Sequence, residues 1–148
     1  MTTINDLVPQ AVLVRIADRI AKSARGFARQ HSTRIPKAIK VSRVTATQAT
    51  ATISITIDTS IAPQAMAFER GADPHQIFAK NANNLVFPGT NEYEGQTIVT
   101  PKVNHPGIKP RPFMQPAKDR HRQQNLADLR EAVGKNMRLQ IRSMAKKI

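Results

Sequence analysis

Two amphipathic helical patterns stand towards opposite ends of this 148-residue chain and limit the folds open to it. The first is expected from about Asp6–Gln10 to about Gln30, where apolar residues recur at steps of three and four: Val12, Ile16, Ile20, Ala24 and Phe27. The second is expected to start near Phe113–Pro116, with the apolar stripe Leu126, Leu129, Val133, Met137, Ile141, Met144 and Ile148. Because the second stripe continues to the final residue, the end of the second helix is expected to pack on the chain's own sheet or on a neighbouring subunit.

A β-hairpin is predicted between these helices. Thr50–Asp58 alternates strictly between apolar and polar residues, which is typical of a strand with one buried face. The preceding Ala38–Thr47 is also extended in character, but its alternation reverses partway. A bulge near Ser42–Arg43 would restore the alternation, and the short link Thr47-Gln48-Ala49 indicates an antiparallel pairing.

Residues 60–112 are rich in turn-forming residues. A short helix is expected from Ser60 to about Ala72, and the apolar runs Leu85–Phe87 and Thr97–Val103 each fit a short strand. Such a stretch has a binding or assembly role, or is a mobile surface insertion. The sequence therefore predicts one domain over residues 1–148 of the α+β class. In this domain a small, mainly antiparallel sheet is packed by a long N-terminal and a long C-terminal helix, and residues 60–112 form a loop-rich assembly segment.

Charge is distributed unevenly along the chain. Lys and Arg number 23 against 10 Asp and Glu, which gives a formal charge of +13, and the excess lies in the first and last thirds. This balance favours polyanionic partners, although the same cations could simply solvate the outer faces of the helices. A basic, non-enzymatic nucleic-acid-binding protein is therefore the alternative function, with five cations of the first helix on phosphates: Arg15, Arg19, Lys22, Arg25 and Arg29.

Several chemistries lack the residues that they need. The chain has no cysteine, which excludes disulfides, thiolate metal sites and cysteine nucleophiles. No apolar run approaches a membrane span, and no secretory signal is expected from the N-terminal pattern. The four histidines do not stand at metal-ligand spacing, and no serine elbow or phosphate-binding loop is present. We therefore expect a non-enzymatic assembly protein without catalytic residues, metal or cofactor.

Prolines punctuate the last third of the chain at Pro101, Pro106, Pro110, Pro112 and Pro116. Since proline is excluded from helix interiors, Pro101–Pro112 is expected to be extended. Pro106-Gly107 is a tight-turn pair, and the following prolines hold Lys109 and Arg111 in a stiff extended segment. That segment would present two cations to a partner.

The entry to the second helix carries a recognisable block. Phe113 is expected to fill the domain's own core, and Pro116 suits the first helical turn. The whole block, Val103-Asn104-His105-Pro106-Gly107-Ile108-Lys109-Pro110-Arg111-Pro112-Phe113-Met114-Gln115-Pro116-Ala117, resembles the small head–tail joining and tail-completion proteins of tailed bacteriophages, which are related in fold to tail terminators. Members have a His-Pro-Gly stretch, a Pro-Phe pair and a Pro-Ala that opens a C-terminal helix. Weaker similarity extends upstream to Ala67-Phe68-Glu69-Arg70-Gly71 and Asn84-Leu85-Val86-Phe87-Pro88.

The resemblance implies a structural role in the virion. Copies of the chain would form a ring, with six as the expected number, at the head–tail junction or the top of the tail. The implied partners are the chain itself, the tail tube or sheath protein and the head-completion or connector proteins, with non-specific contact to packaged DNA and no contact with membranes. A ring requires two different patches of each subunit to meet.

Two groups of residues are the candidates for the family motif and for these contacts. The motif group is Val103, His105, Pro106, Gly107, Lys109, Arg111, Pro112, Phe113 and Pro116. The candidate inter-subunit loop is Phe87, Asn91, Glu92, Tyr93 and Glu94.

Overall fold

The computed structural model describes residues 8–47 and 50–146 and has the predicted α+β fold. The helices are α1 (Gln10–Arg29), α2 (Ile35–Ala38), α3 (Ala65–Arg70), α4 (Met114–Arg120) and α5 (Arg122–Ala145), and Asn91–Tyr93 forms a 3₁₀ turn. The strands are β1 (Ile39–Val41), β2 (Thr45–Ala46), β3 (Ala51–Thr52), β4 (Ile55–Ile57), β5 (His75–Phe78), β6 (Leu85–Pro88), β7 (Thr97–Thr100) and β8 (Lys102–His105). The expected helix start near Asp6, the link residues 48–49 and the last stripe residue, Ile148, lie outside the described residues.

The core is built mainly from alanine. The buried face of α1 is Ala17, Ala21, Ala24 and Ala28, with Ile20 and Phe27 only partly buried beside it. The predicted face, which was centred on the larger apolar residues, is therefore rotated from the observed one, and Val12 and Ile16 are half-exposed. Small side chains allow α4 to approach α1 closely through the buried Ala117, and the largest fully buried side chains are Phe113 and Ile35.

The first hairpin confirms the predicted bulge. β1 pairs with β4 (Val41 opposite Ile55), and β2 pairs with β3 (Thr45 opposite Thr52), so the first strand carries one extra residue between the two ladders. A bulged strand bends, which accounts for the division of one hairpin into two short ladders. At its base, Lys40 Nζ lies 2.6 Å from Asp58 Oδ2. That ammonium group, with hydrogen bonds from Ser60, lowers the pKa of Asp58 to about 2.

Residues 72–108 form a two-stranded ribbon, which we call the β-arm. β5 pairs with β8 and β6 pairs with β7, all antiparallel, and an Ala72–Ile108 bridge closes the base. The strands predicted at Leu85–Phe87 and Thr97–Val103 are observed as β6 and as β7 with the start of β8, whereas the expectation of a single sheet shared with the first hairpin is wrong. The strands pair among themselves in four two-stranded ladders, and residues 79–84 leave the ribbon between β5 and β6.

Helix α5 packs against α1 through polar groups. Arg19 donates hydrogen bonds to Asn125 Oδ1 (2.6 Å) and Asp128 Oδ2 (2.8 Å), and Ser23 Oγ lies 2.6 Å from His121 Nε2. Since α5 advances by about 100° per residue, this polar seam and the apolar stripe lie on faces about a third of a turn apart. The stripe is consequently not buried on the chain's own sheet, which was one of its two expected positions.

Candidate assembly surface

A carboxylate joins the two segments that carry the family resemblance. Glu69 Oε2 accepts hydrogen bonds from the backbone N–H groups of Phe113 (2.8 Å) and Met114 (3.0 Å), and Oε1 accepts one from Gln115 (3.1 Å). The first N–H groups of a helix have no partner within it, and negative charge there is favourable. Glu69 therefore caps α4 from a distant part of the chain.

Further contacts along the same path hold the motif on the domain body. The Arg111 N–H donates to the carbonyl oxygen of Phe68 at 2.6 Å, and its guanidinium lies 6.0 Å from the centre of the Phe68 ring. Phe113 is only 1% exposed, as the sequence predicted. These residues stabilise the fold, whereas Lys109 and Pro112 are exposed and Pro116 is half-buried.

The His-Pro-Gly stretch forms the base of the β-arm. Gly107 has a φ of 85°, and a Cβ there would lie 2.4 Å from the carbonyl oxygen of Ala72 in the opposite strand. Its N–H donates to His105 Nδ1 at 3.1 Å, and the rings of His105 and its cross-strand neighbour His75 stack with centres 5.0 Å apart. Glycine is required here because both its backbone angle and the space beside it exclude a side chain. Pro106, between these residues, is exposed.

One side of the β-arm is apolar, and we call it the arm face. Its members are Ile77, Leu85, Phe87, Ile98 and Val103, and four of them line an apolar cavity of about 250 Å³. Leu85, Phe87, Ile98 and Val103 are half-buried against one another and Ile77 is 38% exposed, and the cavity that these side chains line is open. The opposite side of the arm carries the more exposed side chains Phe78, Val86 and Val99. Two-stranded ribbons are marginally stable alone, and exposed apolar patches mark interaction sites. The arm face has the properties of a docking surface.

The predicted inter-subunit loop forms the end of the arm. Phe87 lies on the arm face, the backbone of Asn91 begins the 3₁₀ turn, and the side chains of Glu92, Tyr93 and Glu94 are exposed. Gly89 is buried beneath this turn. A Cβ there would lie 2.1 Å from the carbonyl oxygen of Tyr93, so no side chain fits at this position. The tip is therefore a compact turn with two carboxylates and an aromatic ring on its surface.

A second apolar surface lies on the last turns of α5. Met137, Ile141 and Met144 are 48%, 62% and 61% exposed, and we call these three residues the helix stripe. They lie beyond Asn136, where residues of α5 still line a shared groove with the start of α1. The prediction that this stripe requires a covering partner stays a prediction, and a neighbouring subunit is the alternative that the fold leaves open.

The described residues offer no cluster for metal chemistry and no helix that could cross a membrane. Within 8–47 and 50–146, no three His, Cys, Asp or Glu side chains are placed to share an ion. None of the helices in those ranges is both long and apolar enough to span a bilayer. In the sequence, Glu69 stands out only as part of the weaker upstream similarity. Its capping role became evident from the hydrogen bond that the Phe113 N–H donates to it.

The cations proposed for phosphate binding are partly occupied within the chain. Arg19 and, at 3.7 Å, Arg15 pair with Asp128, and Arg25 donates to the carbonyl oxygen of Ile39 at 2.8 Å. Lys22 lines an open groove between α1 and α4 with Arg120, while Arg29 is exposed near the end of α1. Three of the five predicted phosphate-binding cations therefore make contacts within the chain.

Comparisons of the chain with protein-family models, with curated protein sequences and with solved structures find no significant match.

Proposed function

We propose that this chain is a structural virion protein of a tailed bacteriophage, forming a ring at the head–tail junction or the top of the tail and joining the tail to the head. The observation that carries this function is the presence of two separate apolar surfaces on one chain, the arm face with its open cavity and the exposed helix stripe. Two different patches per subunit are what a closed ring needs. The resemblance of Val103–Ala117 supplies the phage context.

The family-like residues divide between fold and assembly. Glu69, Arg111 and Phe113 hold the domain body together, whereas Val103 and Phe87 lie on the arm face. A motif that stabilises the domain also fixes the direction in which the arm leaves it. The proposed function is therefore supported by geometry in which the motif positions an interaction surface.

Removal of the arm tip tests this function. Deletion of residues 92–95 is expected to abolish ring formation and binding to tail tubes while the melting temperature changes by only about 3 °C, because the tip is exposed and stabilises little of the core. Electron microscopy and sedimentation measure assembly, and calorimetry measures folding. The double variant Glu92→Gln with Glu94→Gln separates the loss of charge from the loss of shape.

Intact assembly after the deletion would contradict this use of the tip. A full-length chain that is monomeric at high concentration and binds no tail particles would contradict the function as a whole.

Nucleic-acid binding is the second candidate, favoured by the charge of +13 and by the groove that Lys22 and Arg120 line. It predicts that free duplex DNA binds with a steep salt dependence, because each phosphate contact releases counterions. A gel shift at two salt concentrations distinguishes the candidates. If the chain is an assembly protein, it is expected to shift DNA weakly and only at the lower salt concentration. The double variant Lys22→Ala with Arg29→Ala is then expected to form rings like the wild type.

A further inference from the structure

The tip of the β-arm and the last turns of α5 carry opposite charge. From residue 85 to residue 100, which includes the arm tip and Leu85, Phe87 and Ile98 of the arm face, the only charged residues are Glu92 and Glu94, and the rest of the arm adds Asp73, Lys80 and Lys102. From residue 132 to the end, which includes the helix stripe, every charged residue is Lys or Arg: Lys135, Arg138, Arg142, Lys146 and Lys147. Complementary fields of this kind steer two surfaces together and disfavour contact between like surfaces.

Shape also distinguishes the two surfaces. The arm face encloses a shallow apolar cavity among Ile77, Leu85, Phe87 and Val103. The helix stripe, in contrast, presents two methionine side chains and one isoleucine side chain on the surface of a helix. Methionine adapts readily to irregular apolar cavities, and an amphipathic helix in an apolar groove is a recurrent mode of recognition. One surface can accept what the other presents.

We propose that the helix stripe of one copy of this chain docks on the arm face of the next copy. The contact is heterologous, so every subunit uses its arm on one side and its last helix on the other, and repetition closes a ring or extends a chain. This inference rests on the proposed function for its setting and names the surfaces by which copies join. The acidic arm tip then lies near the basic end of the neighbouring α5.

Two variants block one side of the contact each. Phe87→Glu places a charge on the arm face, and Ile141→Glu places one on the helix stripe, where the side chain is already 62% exposed and the fold is not at risk. Each variant alone is expected to lower the association constant by about thirty-fold, the loss typical of a central interface residue. Mixed in equal amounts, they are expected to form dimers and nothing larger, because one intact arm face meets one intact stripe.

Matched controls lie on the opposite sides of the same elements. Val86→Glu lies across the ribbon from the arm face, and Leu139→Glu lies away from the stripe on α5, and both wild-type side chains are exposed. These variants are expected to assemble like the wild type. Equal loss of assembly in the controls would overturn the assignment of faces.

Cross-linking provides a measurement that does not depend on the folding of Phe87→Glu. Because the chain has no cysteine, Leu85→Cys and Ile141→Cys introduce single thiols on the two surfaces. The doubly substituted chain is expected to form a ladder of disulfide-linked oligomers on oxidation, and a mixture of the two single variants is expected to form linked heterodimers. The absence of heterodimers from that mixture would overturn the pairing.

Other occupants give different results in the same assays. A chain that remains monomeric but binds tail tubes through these residues, or that binds anionic vesicles through α5, overturns the pairing of copies. Tail binding would leave the proposed function intact. Conversely, oligomers that form through the arm and the stripe but are missing from virions uphold the pairing and overturn the proposed function.

Discussion

Replacement of Phe113 by alanine is expected to destabilise the domain by about 3–5 kcal/mol, the cost of removing a buried phenyl ring and leaving a cavity. The ring is 1% exposed and is the largest fully buried side chain in the described part of a core otherwise made mainly of alanine. The fully buried residues of the core are mostly alanines, which are too small to fill the space. Since single domains are stable by about 5–15 kcal/mol, this loss is a large fraction of the total.

Urea denaturation of the monomer at low concentration measures this effect. The matched control is Phe78→Ala, which removes the same group from a position that is 58% exposed in the β-arm. We expect the control to change the free energy of unfolding by less than about 1 kcal/mol. Equal losses at the two positions would contradict the placement of Phe113 in the core.

Glu69→Ala is expected to have the second largest effect on stability, about 2–3 kcal/mol, because hydrogen bonds to charged groups are strong and three backbone donors lose their acceptor. Those donors are the N–H groups of Phe113, Met114 and Gln115. Glu69→Gln keeps a neutral acceptor and is expected to lose about half as much.

Hydrogen exchange gives a local test of the same contact. In Glu69→Ala the amides of residues 113–115 are expected to exchange faster than the same amides in the wild type, whereas the amides in the middle of α1 serve as the internal reference. Glu94→Ala, which removes an exposed carboxylate at the arm tip, is the control and leaves these amides protected. Unchanged exchange in Glu69→Ala would show that the carboxylate does not cap α4.

Local patterns predicted the parts of the fold that depend on local physics. Strict alternation in Thr50–Asp58 and its reversal in Ala38–Thr47 were sufficient to predict a hairpin with a bulge, because one extra residue inverts the faces of a strand. The prolines before Phe113 predicted an extended approach to α4, since proline restricts both its own backbone and that of the preceding residue.

Non-local contacts account for what the sequence did not reveal. His75–Phe78 has no clear alternation and was not predicted as a strand, and the run Thr97–Val103 reached only the start of its partner Lys102–His105. The pairing of these two strands across the rest of the arm is a non-local contact that the sequence pattern does not reveal. The periodicity of α1 favoured its large apolar residues, whereas close packing against α4 selected the alanines. Arg19 was assigned to phosphate binding in the alternative function, although its side chain meets Asn125 and Asp128 between two helices.

The sequence singled out only some of the residues that form the candidate assembly surface. Phe87 and Glu92–Glu94 were singled out because a turn-rich stretch favours a binding role, and they occupy the distal part of the arm. Ile77 and Ile98 joined the same face only through cross-strand register, which composition does not encode. The helix stripe was visible in the sequence, but its exposure depended on the polar seam that directs α5.

Cryo-electron microscopy of the tailed particles in which this chain is proposed to assemble tests the central claim most directly. The account predicts a ring of copies between the capsid vertex and the upper end of the tail, with the β-arm of each copy against the last helix of its neighbour. Particles that are complete and infectious without this polypeptide anywhere between head and tail would contradict it.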